Sequence, residues 1–230
     1  MVNLVIALEC FGICLIVIAL LLLLNGDGAK EQKMLILMMC GTLVQNVGYL
    51  LELTAPTLEA AMTAVTVENV GSAFVPLFYC WFLYIYCYIT PPKTFLRVLS
   101  AISFFALPSV FFNWYGLFYQ EVRWSADADG FYHISITYGP LYVLFLFSRI
   151  IIPYTLCIYT LVRAIRERSD RQVNRQYWTI LGISTLPVLV LAAYICKWVS
   201  IFDLTPVTLG ISMSMVFIVV WSRRNYDFRH

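Results

Sequence analysis

The chain has 230 residues, 61% of them hydrophobic and 12% charged, with a mean hydropathy of +0.82 and a net charge of +2. A soluble globule of this composition would carry far more apolar surface than it could bury, so a water-dissolved bundle is excluded and lipid is the implied solvent. The small net charge gives no electrostatic footprint for nucleic acid.

A bilayer core about 30 Å thick takes about 20 mostly apolar residues at about 1.5 Å each. Seven stretches qualify, near residues 2–24, 34–53, 64–89, 95–113, 138–162, 177–198 and 206–222. The expected fold class is therefore an all-α membrane protein, a seven-transmembrane helix bundle, multi-pass in the plasma membrane. The first stretch has no preceding Lys or Arg, too long an apolar run and no small-x-small site after Leu24. It is read as a true span rather than a signal peptide.

Seven cysteines (Cys10, Cys14, Cys40, Cys80, Cys87, Cys157, Cys196) all fall inside spans, where a thiol acts as a small apolar side chain; neither a disulfide framework nor a metal site follows. Pro76, Pro108, Pro153 and Pro187 also fall inside spans and mark bends, because each frees a backbone carbonyl. Between the fourth and fifth spans, residues 114–137 read differently. Asp127-Ala-Asp-Gly130 is turn chemistry, and residues 131–137 alternate with the period of a strand. An outer β-hairpin between helices 4 and 5 is expected there, held at the lipid interface by Trp114, Tyr115, Tyr119 and Trp124. His133 is read as a surface side chain of this hairpin.

Orientation follows from the bias of cations towards the cytoplasm. One set of gaps plus the C-terminus holds Lys30, Lys33, Lys93, Arg97, Arg163, Arg166, Arg168, Arg171, Arg175, Arg223, Arg224 and Arg229; the other holds Arg123, with Lys197 at a helix end. Twelve against two, with Arg149 inside a span, places the N-terminus outside and the C-terminus in the cytoplasm. On this topology the two histidines, His133 and His230, lie on opposite sides and cannot share a metal.

Charge inside hydrocarbon costs several kcal/mol, roughly 2.5 to 3.5 on insertion scales, and persists where it is paired, hydrated or useful. Glu9, Glu52, Glu68, Arg149 and Lys197 all fall in the outer half or near the midplane. This distribution suits a ligand pocket opening outward, with Asn46, Gln45 and Asn69 as neutral partners. The expected ligand-binding residues are Arg149, Glu9, Glu68, Glu52, Asn46, Tyr79, Tyr138 and Lys197. Two readings stay open: a solute pocket, or an ion-pair network that only holds helices together. The ligand could be a zwitterion or an anion at Arg149, or a lipid-like molecule among Tyr79, Trp81, Tyr84 and Tyr138.

Four segments in succession carry a resemblance: residues 67–79 (Val-Glu-Asn-Val-Gly-Ser-Ala-Phe-Val-Pro-Leu-Phe-Tyr), Tyr138-Gly-Pro140, Arg175-Gln176 leading to Leu186-Pro187, and Asp203-Leu-Thr-Pro206. In this order the chain resembles the seven-transmembrane N-terminal sensor region of bacterial histidine kinases, a module also found fused to diguanylate cyclases. The resemblance implies an outside N-terminus, a homodimer, and signalling through helix 7 to a cytoplasmic output domain. Residues 1–224 are then the sensor domain, and 225–230 the start of a linker. Residues 221–230 leave no room for a kinase or cyclase, so an excised sensor module is expected rather than a stand-alone receptor.

The spans contain no phosphate loop and no nucleophile beside a base, so catalysis within these residues is not expected and no cofactor is implied. The expected function is a membrane receptor for an extracellular or membrane-borne small molecule. The alternative is a small-solute transporter, weakened by the lack of internal symmetry and of charge in the inner half. A retinal protein would need a lysine in the last span, and residues 206–222 contain none.

Overall fold

A computed structural model describes all residues except 1, 27, 113, 127–131, 168–169, 197, 199–202 and 228–230; for 105, 106, 109, 114, 149, 195 and 223–227 it describes the backbone alone. It is mostly helical (81%). The elements are α1 (Val2–Leu24), α2 (Lys30–Leu53), α3 (Leu58–Ser72), α4 (Val75–Tyr86), α5 (Lys93–Phe112), β1 (Tyr119–Ala126), β2 (Tyr132–Tyr138), α6 (Pro140–Leu146), α7 (Ile152–Glu167), α8 (Arg171–Ile195) and α9 (Thr205–Asp227). A π-helical segment, Phe147–Ile151, joins α6 to α7.

Among the described residues, five helical segments are long and apolar enough to cross a membrane: Val2–Leu24, Lys30–Leu53, Leu58–Tyr86, Arg171–Tyr194 and Thr205–Ser222. The distribution of polarity on α1 identifies its solvent. Its buried stripe holds Val5, Glu9, Gly12, Ile16, Ala19 and Leu23, whereas Leu4, Phe11, Ile18 and Leu21 point outward. A helix in water would show the opposite pattern, with its carboxylate outside.

Helix boundaries depart from the apolar stretches where polar residues carry a helix beyond the hydrocarbon. α8 begins at Arg171 rather than near 177 because Asp170 caps it, accepting from the amides of Gln172 at 2.8 Å and Val173 at 3.4 Å. Thr57 caps α3 in the same way through the amide of Ala60. The expected third span divides into α3 and α4 at Ala73–Phe74, so Pro76 stands in the first turn of α4, where its missing N–H costs nothing.

α4 runs through the middle of the bundle, with Tyr79, Cys80, Phe82, Leu83, Tyr84 and Tyr86 all buried. Phe82 stacks between Tyr79 and Tyr86, and Tyr86 meets Tyr177 of α8 edge-on with centroids 5.9 Å apart. The α2 and α3 helices touch backbone to backbone: a Cβ on Gly71 would lie 2.3 Å from the Gln45 nitrogen, and one on Gly48 would lie 2.5 Å from the Glu68 nitrogen.

The hairpin forms as expected, antiparallel with Trp124 opposite Ile134; its Asp127–Gly130 turn lies outside the described residues. Tyr119 departs from its expected interfacial role. It is buried with Phe118 and Phe145, and its hydroxyl accepts from Asn69 Nδ2 at 3.2 Å, which ties the hairpin base to α3. Tyr115 is fully exposed.

Candidate functional site

A half-open cavity of about 100 Å³ is bounded by α2, α3, α4, the π segment with α7, α8 and α9. Prolines account for the gap. Pro153 cannot donate to the i−4 carbonyl and its ring crowds that turn; the helix answers with the π segment immediately before it. Pro76, at the start of α4, and Pro153 and Pro187 all reach the cavity wall, so three of the four prolines read as bends line it.

The wall is mainly apolar, with Val75, Val188, Leu191, Leu209 and Met213 among its residues. Its polar features are few. Ser184 Oγ donates to the Ile180 carbonyl at 2.6 Å, so the Tyr79 hydroxyl is the donor in its own hydrogen bond to Ser184. Gln45 Oε1 and Thr205 Oγ1 have no hydrogen-bond partner. α9 contributes Thr205, Leu209 and Met213 along two turns of one face. On the opposite side Cys157 lines the cavity, and Cys80 behind it donates to the Pro153 carbonyl at 3.2 Å.

The residues expected to form one pocket fall in separate places. Tyr79 lines the cavity. Glu9 and Asn46 are both 0% exposed and meet where α1, α2 and α9 converge; there Asn46 Nδ2 donates to the Pro206 carbonyl at 3.1 Å. The Glu52 carboxyl lies close to those of Glu68 and Asp203. Tyr138, 41% exposed, stacks on Tyr142 with centroids 3.7 Å apart at the foot of the hairpin. The backbone of Arg149 belongs to the π segment, next to Ile150 on the cavity wall; its side chain lies outside the described residues, as does Lys197.

Three residues missed in the sequence bear on these sites: Ser184, Thr205 and Tyr49. A hydroxyl in a helix usually bonds the carbonyl one turn back and so carries no sequence signal. Tyr49 was traceable, since it follows Gln45 by four residues on one helix face. Its buried hydroxyl has no hydrogen-bond partner and faces the fields of Asp203, Glu52, Glu68 and Glu9.

Compared with known families, residues 7–229 match the family described as the N-terminal 7TM region of histidine kinase. No curated protein matches the chain.

Proposed function

The chain belongs to the family of N-terminal 7TM regions of histidine kinase, and we propose that it is a seven-span sensor whose central cavity takes up a small molecule and reports it through α9. The region is the non-catalytic part of such kinases, and the catalytic domain would lie outside it. The two spans beyond the five that meet the length and apolarity requirement are α5 and the continuous helix of α6, the π segment and α7. An odd number of crossings puts the termini on opposite sides, and the cation bias sets the N-terminus outside and the C-terminus in the cytoplasm. Residues 1–224 form the sensor and 225–230 open the linker; the unbroken α9, Thr205–Asp227, carries the signal into it. The module works as a homodimer, as its output domains do.

One observation carries this reading: three residues of the helix leading to the output, Thr205, Leu209 and Met213, form part of the cavity wall. Pro76, Pro153 and Pro187 stand elsewhere in that wall, and a proline leaves a backbone carbonyl without its helical donor. A solute stabilises whichever arrangement it fits better, and only by its difference in affinity for the two. Filling the cavity therefore biases the position of α9. Arg149 sits beside Ile150 on the wall and serves a charged or polar end of the solute. Glu52, Glu68 and Tyr138 belong to the outer approach to the cavity.

The test is thermal stabilisation of the purified protein by a metabolite panel, repeated on Leu209→Trp and Arg149→Ala. A stabilising compound should lose its effect in Leu209→Trp, whose indole occupies the cavity. Undiminished stabilisation in that variant would overturn the cavity assignment. The Arg149→Ala arm reports whether the cation meets the compound.

A further inference from the structure

The junction of α1, α2 and α9 contains three enclosed oxygens with no donor: Glu9 Oε1, Glu9 Oε2 and Asn46 Oδ1. Asn46 Nδ2 spends one of its two hydrogens on the Pro206 carbonyl at 3.1 Å, and the Asn46 side chain lies within reach of the Glu9 carboxyl. The surroundings are tight. A Cβ on Gly12 would sit 3.7 Å from Asn46 Nδ2, and one on Gly210 only 2.6 Å from it. A polar group buried without a partner costs several kcal/mol, and a bare carboxylate much more.

Among the described residues no ion pair reaches Glu9. The ion pairs among the described residues, Arg123–Glu121 and Arg163–Glu167, lie at the surface. The described ionisable groups nearest this junction, Tyr49 and Glu52 on α2, Glu68 on α3 and Asp203 before α9, gather with Glu9 around the Tyr49 hydroxyl. Every ionisable group among them is an acid.

One hydrogen would correct the imbalance. A carboxylate only accepts, whereas a carboxylic acid also donates. We propose that Glu9 is a proton-binding site, and that its acid O–H donates to Asn46 Oδ1. The proton completes a chain from α1 through the Asn46 side chain to the Pro206 carbonyl in the first turn of α9. Loss of the proton sets a carboxylate against the amide oxygen, and the junction then holds only if water enters between α1 and α9. Proton occupancy at Glu9 thus fixes the start of the helix that leads to the output, independently of what fills the central cavity.

Infrared difference spectroscopy on the protein in lipid tests this directly. The spectrum should contain a carboxylic-acid carbonyl band that disappears in Glu9→Gln and moves to higher frequency in Asn46→Leu, which removes the acceptor. Glu9→Gln should also keep the wild-type thermal midpoint, because an amide donates and accepts as the acid does, whereas Glu9→Ala should lower it. A spectrum with no Glu9-dependent acid band would overturn the proposal. So would Glu9→Gln that melts as early as Glu9→Ala, since that site would need the charge.

Discussion

Asn46 on α2 donates to the carbonyl of Pro206 on α9 across 3.1 Å and 160 residues of sequence. The bond is completely buried, and it fastens the first turn of the last helix to the second. If Asn46→Leu removes this donor, the protein should lose about 1 to 3 kcal/mol, the usual range for breaking a buried hydrogen bond. A thermal midpoint in detergent equal to that of the wild type would show that the bond contributes nothing.

Backbone contact between α2 and α3 leaves no room for a methyl group at Gly71. Its Cβ would fall 2.3 Å from the Gln45 nitrogen and 2.8 Å from the Gly41 oxygen. Gly71→Ala should therefore cost about 1 to 3 kcal/mol through overpacking. At Gly182 a Cβ would meet nothing within 4 Å, and Gly182→Ala should gain up to about 1 kcal/mol from helix propensity. Paired melting curves of the two variants check both the sign and the contrast.

The Cys80 and Cys157 sulfurs lie 3.5 Å apart in the core, and Cys87 is buried near them. Thiols enclosed in apolar surroundings react slowly because reaction needs the thiolate and access to it. A water-soluble maleimide should leave all three unmodified in the folded protein and label them after denaturation. Labelling of Cys80 in the native protein would mean that the α4–α7 interface is open.

Sidedness is tested with cysteines at exposed positions, Ser125→Cys on β1 and Gln172→Cys at the start of α8. With Cys10, Cys14, Cys40 and Cys196 replaced by alanine, an impermeant maleimide should label position 125 in intact cells. Position 172 should become reactive only after permeabilisation. The reverse pattern would invert the topology.

The spans were legible because a lipid-facing helix keeps its apolar residues on the outside, as Leu4, Phe11 and Ile18 do on α1. Their ends were less so. Arg171 and Gln172 continue α8 beyond the hydrocarbon, where hydropathy falls but Asp170 still caps the helix. The break at Ala73–Phe74 has no glycine or proline of its own; the nearby Pro76 read as a bend, although it stands where a new helix begins.

The candidate site was half legible. Buried charge drew attention to Glu9 and Asn46, whose junction rests on oxygens that hydropathy registers as conspicuous. It also drew Glu52 and Glu68 into the same group, because depth in the membrane says nothing about which side of a helix a residue takes. The cavity itself came from Pro153 and Pro187, which were visible in sequence. Its polar contacts from Ser184 and Thr205 were not, since a serine or threonine in a span normally satisfies itself on the preceding turn.

The coupling of the cavity to α9 can be measured with spin labels at Asn25, just past the end of α1, and Ser222, near the end of α9, read by double electron–electron resonance in lipid. The distance distribution in Leu209→Trp, whose cavity is permanently filled, should shift from that of the wild type, and a stabilising compound should move the wild type the same way. Superimposable distributions for the wild type, the filled variant and the compound-bound protein would contradict a cavity that governs the last helix.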